Sequence, residues 1–392
     1  MTSCSLRIAF FPDAYYEVDG IANTARHFES FARESGLPFL TICGGEKSEV
    51  VQDGSVTRMV RRKGPLGFGL DKKHYFDLAF WRHYRAVETA VRRFNPDIVH
   101  ITGPSDVGQL GALLAHKLQV PLAASWHTNL HQYAEQRGLR LFPFLFGSWK
   151  AKLGSALREG SLHASLRFYW LAQVLFAPNL QLMELLERGT GKRCYPMERG
   201  VETDLFHPSK RNRSDDALVL GYVGRLSTEK DVRLLAEIER GLLSAGMSNF
   251  RFLVVGQGSE EPWLRANLKN AEFAGVLKGE LLARAYANMD VFVFPSRTDT
   301  YGNVVLEALS SGVPAVVSDS GGPQFIVQQG ETGFVARNLP EFVGCIKVMA
   351  EDANMLNAMR KAARERAERA SWERVFESVY DSYEHALLTP FA

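Results

Sequence analysis

The chain has 392 residues, which is too long for one ordinary hydrophobic core and suits two domains. Its 46 Lys and Arg residues nearly balance its 44 Asp and Glu residues, so the overall charge gives no argument for a nucleic-acid partner. The 4 cysteines lie far apart, without the spacing of a metal site or a disulfide framework, and predict a reducing, cytoplasmic location.

Strand and helix patterns alternate along the whole chain, which is typical of parallel sheets with crossover helices. The first apolar run is too short for a signal peptide, and no stretch approaches the roughly 20 apolar residues of a membrane span. A first set of predicted strands comprises Leu6–Phe11, Pro38–Ile42, Asp97–Ile101, Pro121–Ser125 and Val174–Ala177. A second set comprises Leu218–Val223, Phe250–Val255, Ala271–Phe273, Val291–Phe294 and Ala315–Ser318.

The two sets predict an α/β protein made of two doubly wound, Rossmann-like domains that face a cleft. A polar stretch around Pro208 separates the sets and places the domains at residues 1–208 and 209–371. A new helical pattern begins after these domains and covers residues 372–392.

Two carboxylates stand at the two ends of one strand-to-helix turn. Asp299 follows a predicted buried strand, and Glu307 lies on the helix that Gly312 closes. Because open α/β sheets bind ligands at the carboxyl ends of their strands, this turn is a candidate binding site. The helix N-terminus beside Gly302 offers backbone N–H groups to an anion, while the carboxylates accept hydrogen bonds from hydroxyl groups. A sugar nucleotide carries both kinds of group.

A second candidate site follows the first strand of the second set. Gly224 and Arg225 come directly after this strand, and Lys230 lies beside a predicted helix start capped by Ser227 or Thr228. The guanidinium gives planar contacts to phosphate oxygens and the ammonium gives a compact charge. Together they suit a diphosphate leaving group that gains charge as its bond breaks. A surface arginine and lysine at a helix start is the alternative interpretation.

The run from Pro295 to Glu307 resembles the Glu-x7-Glu signature of retaining glycosyltransferases with the GT-B architecture. This large family includes sucrose synthases, sulfolipid synthases and bacterial lipid mannosyltransferases. The first glutamate of the signature is an aspartate here, Asp299. The resemblance implies that Asp299 contacts hydroxyls of the transferred sugar and that Glu307 holds the ribose of the nucleotide. The spacing of Arg225 and Lys230 matches the family's diphosphate clamp.

Other segments resemble the same family. Gly20 lies in a loop similar to the family's first-strand loop, and its lack of a side chain lets the backbone approach a phosphate. His127, in a His-Thr pair after a first-domain strand, resembles the histidine that contacts the donor sugar, with a structural histidine as the alternative. Gly256 lies in a similar Val-Gly-x-Gly turn. His131 and Tyr133 are expected on the acceptor side.

The resemblance implies two overlapping sets of site residues and one packing arrangement. The catalytic set is His127, Asp299, Arg225 and Lys230. The donor-binding set is Gly20, Gly224, Arg225, Lys230, Gly256, Asp299, Tyr301, Gly302, Asn303, Val304 and Glu307. In the family the last helix crosses back onto the first domain, and the same is expected of residues 372–392, with a solvent-exposed tail as the alternative.

The implied function is transfer of a hexose, with retention of the anomeric configuration, to a hydroxyl of a lipid or glycan acceptor. A GDP-sugar, GDP-mannose first, is favoured as donor, and a UDP-sugar comes next. The sequence contains no Asp-x-Asp motif, so neither a metal nor another cofactor is expected. The alternatives are a sugar-nucleotide epimerase or phosphorylase on the same fold and a non-catalytic sugar-nucleotide-binding subunit.

The segment from Leu139 to Trp170 combines aromatic and basic side chains with a single acid, Glu159. This composition suits peripheral contact with anionic lipid on the inner face of the membrane. It also suits a lid helix packed on the first domain, so both interpretations stay open.

Overall fold

The structure is a computed structural model that describes residues 6–17, 20–64, 67–69, 75–77, 79–127 and 147–388. The chain divides into two compact units. The first unit comprises Met1–Met197 and Phe376–Ala392, and the second comprises Glu198–Val375.

The first unit is built on a largely parallel sheet. Its strands are β1 Ile8–Phe11, β2 Phe39–Gly45, β3 Glu49–Asp53, β4 Val56–Arg62, β5 Gly67–Gly69, β6 Tyr75–Asp77, β7 Ile98–Ile101, β8 Leu122–Ser125, β9 Val174–Ala177 and β10 Cys194–Pro196. Eight of them form one sheet in the order β10-β9-β8-β7-β1-β2-β4-β3, and β5 pairs with β6. The β3-β4 pair is antiparallel, whereas β1 runs parallel to both β2 and β7. Strand order therefore reverses between β1 and β7.

The second unit carries a six-stranded parallel sheet in the order β13-β12-β11-β14-β15-β16. Its strands are β11 Leu218–Val223, β12 Phe250–Val255, β13 Ala271–Gly275, β14 Val291–Phe294, β15 Ala315–Ser318 and β16 Gly333–Ala336. The point of strand reversal lies between β11 and β14. This point matters because ligands of doubly wound sheets bind outside the carboxyl ends of the strands there.

Helices alternate with these strands in both units. They are α1 Gly20–Glu34, α2 Tyr84–Phe94, α3 Asp106–Leu118, α4 Gly147–Tyr169, α5 Leu180–Thr190, α6 Leu234–Ser244, α7 Glu261–Asn267, α8 Gly279–Ala287, α9 Asn303–Ser310, α10 Leu339–Glu351, α11 Ala353–Glu368 and α12 Trp372–Leu388. Side chains cap several helix starts: the Ser105 hydroxyl accepts from the N–H of Gly108 over 3.1 Å, and the Asn179 carbonyl accepts from Leu182 over 2.9 Å. Strand interiors such as β1, β8 and β14 are fully buried, as in sheets covered on both faces.

The C-terminal helix α12 packs within the first unit from Phe376 onward. The Phe376 ring stacks on Phe28 of α1, with ring centroids 4.5 Å apart. Tyr383, further along the same helix, is fully buried and hydrogen bonds to His100 of β7. The helix therefore supplies core side chains to the first unit.

Residues 198–208, assigned above to the first domain, lie in the second unit. The Arg364 guanidinium of α11 donates hydrogen bonds to the carbonyl oxygens of Thr203 and Phe206, each over 3.0 Å. The N–H of Val201 donates to the carbonyl of Ala370 over 3.0 Å. These long-range backbone contacts cannot be anticipated from local composition, which identifies only the polar stretch that follows.

The predicted parallel α/β organisation is confirmed, and several strands escaped prediction. β4 carries Arg58, Arg61 and Arg62, so its sequence lacks the continuous apolar character of the central strands. β3 lies at the sheet edge with nearly every residue exposed. Edge strands bury only one face, which weakens the apolar signal in their sequences.

Candidate functional site

The loops that follow β11 and β14 meet at the point of strand reversal in the second unit. The two strands are parallel neighbours, with Leu220 aligned with Val291 and Gly221 with Phe292. The loop after β11 carries Arg225 and Lys230, and the loop after β14 carries Asp299. The fold therefore joins the two motifs that the sequence marked separately.

An ion pair links these loops directly. Lys230 Nζ lies 2.5 Å from Asp299 Oδ1, and the two side chains are only 14% and 20% exposed. The Thr298 hydroxyl donates to the carbonyl oxygen of Glu229 over 3.0 Å, which adds a second link between the loops. Because the pair is largely shielded from water, it holds the ammonium and the carboxylate in defined positions.

The predicted helix start after Ser227 takes a different form. Residues Thr228–Lys230 form a single 3-10 turn, the Ser227 side chain makes no capping hydrogen bond, and the Thr228 hydroxyl donates to Glu260 over 3.1 Å. The α-helix begins only at Leu234. Capping of that helix by Ser227 or Thr228 is therefore wrong: the Thr228 hydroxyl bonds to Glu260, and the Ser227 side chain caps nothing because the helix starts further along the chain.

Arg225 and Lys230 occupy different environments. The Arg225 side chain is 52% exposed and lies 3.5 Å from the Glu229 carboxylate, an ion-pair distance. The carbonyl oxygen of Arg225 accepts a hydrogen bond from the buried Tyr222 hydroxyl over 3.0 Å, which fixes the backbone. The backbone is anchored while the guanidinium extends into solvent.

Helix α9 begins beside this ion pair with an uncapped N-terminus. Gly302 stands at the N-cap with φ 102, a conformation that favours glycine, and this residue has no side chain with which to cap the helix. The backbone N–H groups of the first turn, where Asn303 and Val304 lie, have no partner inside a helix and can serve an anion. Tyr301 points its ring into the core and its hydroxyl donates to the carbonyl of Arg199 over 3.4 Å. Any role of Tyr301 toward a ligand is therefore through its backbone.

Glu307 lies one turn further along α9 and shares a hydrogen bond with Tyr286 of α8. The Tyr286 hydroxyl donates to Glu307 Oε2 over 2.8 Å. Burial raises the pKa of Glu307 to about 7, with a smaller contribution from the Glu202 carboxylate, although the bond from Tyr286 acts in the opposite direction. The group changes its charge near neutral pH.

Glycines let four loops of this region pack backbone against backbone, in two pairs. A Cβ on Gly256 would lie 1.9 Å from the carbonyl oxygen of Gly224, and a Cβ on Gly322 would lie 2.3 Å from that of Thr300. The N–H of Gly322 also donates to the carbonyl of Asp299 over 2.7 Å. Gly256 thus holds the loop of Gly224 in place, which is a structural reason for a glycine predicted from its motif.

Several buried polar atoms at this edge of the sheet have no hydrogen-bond partner within the described part of the chain. They are Ser227 Oγ after β11 and Ser296 Oγ and Asp299 Oδ2 after β14. Buried polar atoms are nearly always paired in folded proteins, so such a group calls for an explanation. A polar ligand at the carboxyl edge of the sheet supplies one.

The first unit places its own polar side chains at the carboxyl edge of its sheet. His127 follows β8 and is only 5% exposed, and its Nε2 atom lies 2.6 Å from the Ser125 hydroxyl oxygen. Gly20 is the first residue of α1. These positions lie in a different unit from Asp299 and Lys230.

Asp13 is a candidate that the sequence motifs did not single out. It follows β1 at the point of strand reversal, and its Oδ1 atom accepts a hydrogen bond from Ser105 over 2.6 Å. Its backbone N–H donates to the Thr102 hydroxyl over 2.7 Å. Burial raises the pKa of the carboxyl to about 6. Its position directly after the first strand was the available signal.

His131 and Tyr133, proposed for the acceptor side, lie outside the described residues, as does the part of the aromatic and basic segment before Gly147. The rest of that segment forms α4, and Leu162, Leu166 and Phe168 pack against the core of the first unit. The Tyr169 ring stacks on Trp126 with centroids 4.9 Å apart. The end of this segment is therefore core-packed helix.

Two kinds of feature are absent from the described residues. No described helix is long and apolar enough to cross a membrane. Among the same residues, no group of three or more His, Cys, Asp or Glu side chains is arranged to hold a metal ion.

Comparisons with known proteins agree with this arrangement. Residues 217–352 match the family described as "Glycosyl transferases group 1", and residues 20–194 match "Glycosyl transferase 4-like domain". The GDP-mannose-dependent alpha-mannosyltransferase of Mycobacterium tuberculosis is 30% identical over 346 residues, which covers 85% of this chain and 84% of that protein. The sulfoquinovosyl transferase SQD2 of Arabidopsis thaliana is 29% identical over 397 residues, covering 93% of this chain and 71% of that protein.

The solved structure of sucrose-phosphate synthase from Thermosynechococcus elongatus resembles the whole chain. The TM-score is 0.74 at 18% sequence identity, and the match covers 97% of this chain and 99% of that one. With two parallel-sheet α/β domains, the protein has the GT-B fold, and the predicted fold class is confirmed. The chain belongs to the group 1 glycosyltransferase family and is a glycosyltransferase.

Proposed function

We propose that this protein transfers a hexose from a nucleotide-diphosphate sugar to a hydroxyl of a lipid or glycan acceptor, with retention of the anomeric configuration. GDP-mannose is the favoured donor and a UDP-sugar the second choice. The relatives named for GDP-mannose-dependent mannosyl transfer support the first choice, since the match covers most of both chains. Structural neighbours solved in complex with UDP support a UDP-sugar as the second choice.

The observation that carries the proposal is the Lys230–Asp299 pair beside the uncapped start of α9. In this pair each charge neutralises the other. When a diphosphate docks at the helix N-terminus, Lys230 turns to its oxygens, with Arg225 as the second cation of the clamp. Asp299 then accepts hydrogen bonds from sugar hydroxyls, and its buried Oδ2 gains a partner. The clamp favours the transition state because charge grows on the leaving diphosphate.

Glu307 and His127 complete the proposed site. Glu307, bound to the Tyr286 hydroxyl, accepts hydrogen bonds from the ribose. His127 of the first unit contacts the donor sugar, and the first unit binds the acceptor. The acceptor hydroxyl attacks the face that the diphosphate leaves, and a phosphate oxygen takes its proton. The two cations and the helix N-terminus stabilise the charge of the diphosphate, so the proposed reaction needs no metal ion. The proposed location of the protein is the cytoplasm.

A panel of nucleotides tests the donor assignment first. The thermal midpoint should rise with GDP-mannose and GDP more than with UDP-glucose and UDP, because ligands that bind only the native state stabilise it. A larger rise with the UDP ligands would move the donor to a UDP-sugar. No rise with either set, together with no transfer from any donor, would contradict the function.

Product analysis then tests the reaction itself. Transfer of labelled mannose to a lipid or glycan acceptor, with the α anomer seen by NMR of the product, is expected and should persist in EDTA. Loss of transfer in the chelator with rescue by Mg²⁺ or Mn²⁺ would show metal dependence. Conversion of the sugar nucleotide to its epimer without an acceptor would favour the epimerase alternative. Phosphate-dependent release of a sugar phosphate would favour the phosphorylase. Binding without turnover would favour the non-catalytic subunit.

A further inference from the structure

Four side chains form a hydrogen-bonded chain that runs from the C-terminal helix to His127 through the core of the first unit. The Tyr383 hydroxyl of α12 contacts His100 Nδ1. His100 Nε2 lies 2.9 Å from the Ser125 hydroxyl oxygen, and that oxygen lies 2.6 Å from His127 Nε2. All four are nearly inaccessible, with exposures of 0%, 0%, 1% and 5%.

The protonation states of the first two members are set by their surroundings. Burial lowers the pKa of His100 to about 3, so its ring is neutral at physiological pH and carries one N–H. Burial also raises the pKa of Tyr383 well above its usual value, so the phenol keeps its proton. Within the described residues, His100 Nδ1 is the one hydrogen-bond partner of that hydroxyl.

These states give the chain a direction. The Tyr383 O–H must donate to His100 Nδ1, because any other arrangement leaves a buried hydroxyl proton without an acceptor. His100 therefore carries its own proton on Nε2 and donates to the Ser125 oxygen. Ser125 has a single proton, and with the His100 N–H already received it donates that proton to His127 Nε2.

We propose that Tyr383, His100 and Ser125 are positioning residues that hold His127 in the neutral tautomer with its proton on Nδ1. An imidazolium at His127 would bring a second N–H toward the Ser125 oxygen and leave the hydroxyl proton without a partner. The chain therefore opposes both the other tautomer and the charged form.

This inference rests on the proposed function for its consequence in catalysis. A histidine held neutral, with a defined N–H, is a hydrogen-bond donor of fixed direction toward an oxygen of the donor sugar. The neutral histidine adds no further positive charge to a site in which Lys230 and Arg225 neutralise the diphosphate. The C-terminal helix thereby acts on the reaction through the tautomer of His127, which it reaches by way of His100 and Ser125.

The test uses the full-length protein labelled with [15N]histidine. The ring signals of His127 are assigned by their loss in His127→Gln, and the 15N shifts report which nitrogen is protonated. The expected result is an unprotonated Nε2 and a protonated Nδ1. In Tyr383→Phe the preference of His100 is removed, and His127 should show mixed tautomers.

Tyr380→Phe is the matched control. Tyr380 lies one turn earlier on α12, and its buried hydroxyl has no hydrogen-bond partner within the described residues. The same loss of one oxygen should leave the His127 signals unchanged. A wild-type Nε2 that carries the proton, or a Tyr383→Phe spectrum identical to that of Tyr380→Phe, would overturn the proposal. Should Tyr383→Phe fail to fold, Ser125→Ala cuts the chain directly, and an unchanged His127 spectrum there would overturn it equally.

Kinetics separate this inference from the proposed function. Tyr383→Phe should lower kcat roughly tenfold with little change in donor KM, whereas Tyr380→Phe should match wild type. Full activity of His127→Gln would contradict the role of His127 in transfer while the spectra still decide the tautomer. Normal kcat in Tyr383→Phe despite mixed tautomers would overturn the catalytic consequence.

Discussion

The two units place polar groups at the same structural position, the carboxyl edge of a sheet near its strand reversal, but they equip it differently. In the second unit the edge carries an ion pair, Lys230 with Asp299, and an uncapped helix start. In the first unit the His127 side chain ends a buried chain through Ser125 to a neutral His100. One edge is arranged around charge and the other around hydrogen-bond direction.

Burial also raises the pKa of carboxyl groups at each edge. Burial raises the pKa of Asp13 in the first unit to about 6 and that of Glu307 in the second to about 7. Similar desolvation thus acts at both edges. In the proposed reaction the second edge meets a leaving diphosphate with positive charge, whereas the first edge offers the acceptor hydroxyl and the sugar a neutral hydrogen-bond partner of fixed direction.

The largest expected effect is the loss of Lys230, which would remove the charge that distinguishes the second edge. Lys230→Ala should lower kcat/KM by an amount that corresponds to about 2–4 kcal/mol of lost transition-state stabilisation, because the growing charge of the diphosphate loses its contact with the ammonium. Initial rates with GDP-mannose measure this, and circular dichroism checks the fold. Lys347→Ala on α10, a more exposed lysine paired with Glu351, is the control and should be neutral. Near-normal turnover in Lys230→Ala would contradict the clamp.

A backbone substitution should test whether the second edge depends on its glycine packing. Gly322→Ala places a Cβ against the Thr300 carbonyl and should cost about 1–3 kcal/mol of unfolding free energy, with loss of nucleotide binding. Gly344→Ala is the matched control: this glycine lies inside α10 with nothing within 4 Å of an added Cβ, so the change should stabilise by about 0.5–1 kcal/mol. Denaturant titrations measure both. Equal midpoints for the two variants would refute the packing argument.

The pH dependence of donor binding should reveal Glu307. Its pKa rises from 4.5 to about 7 in the folded protein, so the folded state keeps a proton that the unfolded chain has released. Stability contributed by this group is therefore present below pH 4.5 and lost as pH rises through about 7. If the ionised form accepts hydrogen bonds from the ribose hydroxyls, as proposed, the affinity for GDP-mannose should increase about tenfold from pH 6 to pH 8.

Glu307→Gln provides the comparison for that measurement. The amide does not titrate, so the affinity of this variant, measured by calorimetry, should stay constant across the same range. The wild-type protein loses stability as pH rises, so the thermal midpoint of the variant should increase relative to that of wild type. A wild-type affinity that is equally constant with pH would contradict the proposed hydrogen bonds between Glu307 and the ribose. Lys230→Ala should retain the pH dependence even though it binds more weakly.

The smallest expected effect concerns the first unit and the nature of its acceptor. If α4 meets an anionic membrane, liposome sedimentation should increase with anionic lipid and decrease with salt, because each surface cation contributes about 1 kcal/mol. Replacing Lys150, Lys152 and Arg158 together with Gln should weaken that binding without altering donor hydrolysis. Equal sedimentation with neutral and anionic vesicles would favour the lid interpretation and a soluble acceptor.

Long-range pairing limited what could be predicted about the fold. The central strands were predicted within a few residues, because strands buried on both faces are continuous apolar runs. β3 and β4 were missed because they lie toward the sheet edge and carry polar residues. The helix start expected at Ser227 became a 3-10 turn because Thr228 bonds to Glu260 of another loop.

The sequence by itself determined the fold class, the family and the chemical types at the second edge, because strand periodicity and motif spacing are local properties of the chain. The tertiary structure decided that Lys230 pairs with Asp299 and that the Tyr301 ring turns into the core. It also decided that Asp13 is buried against Ser105 and that a hydrogen-bonded chain connects Tyr383 to His127. Tyr383 and His100 lie far apart in the sequence and meet only when α12 packs on the first sheet. No local pattern records such a meeting, since it depends on which helix covers which strand.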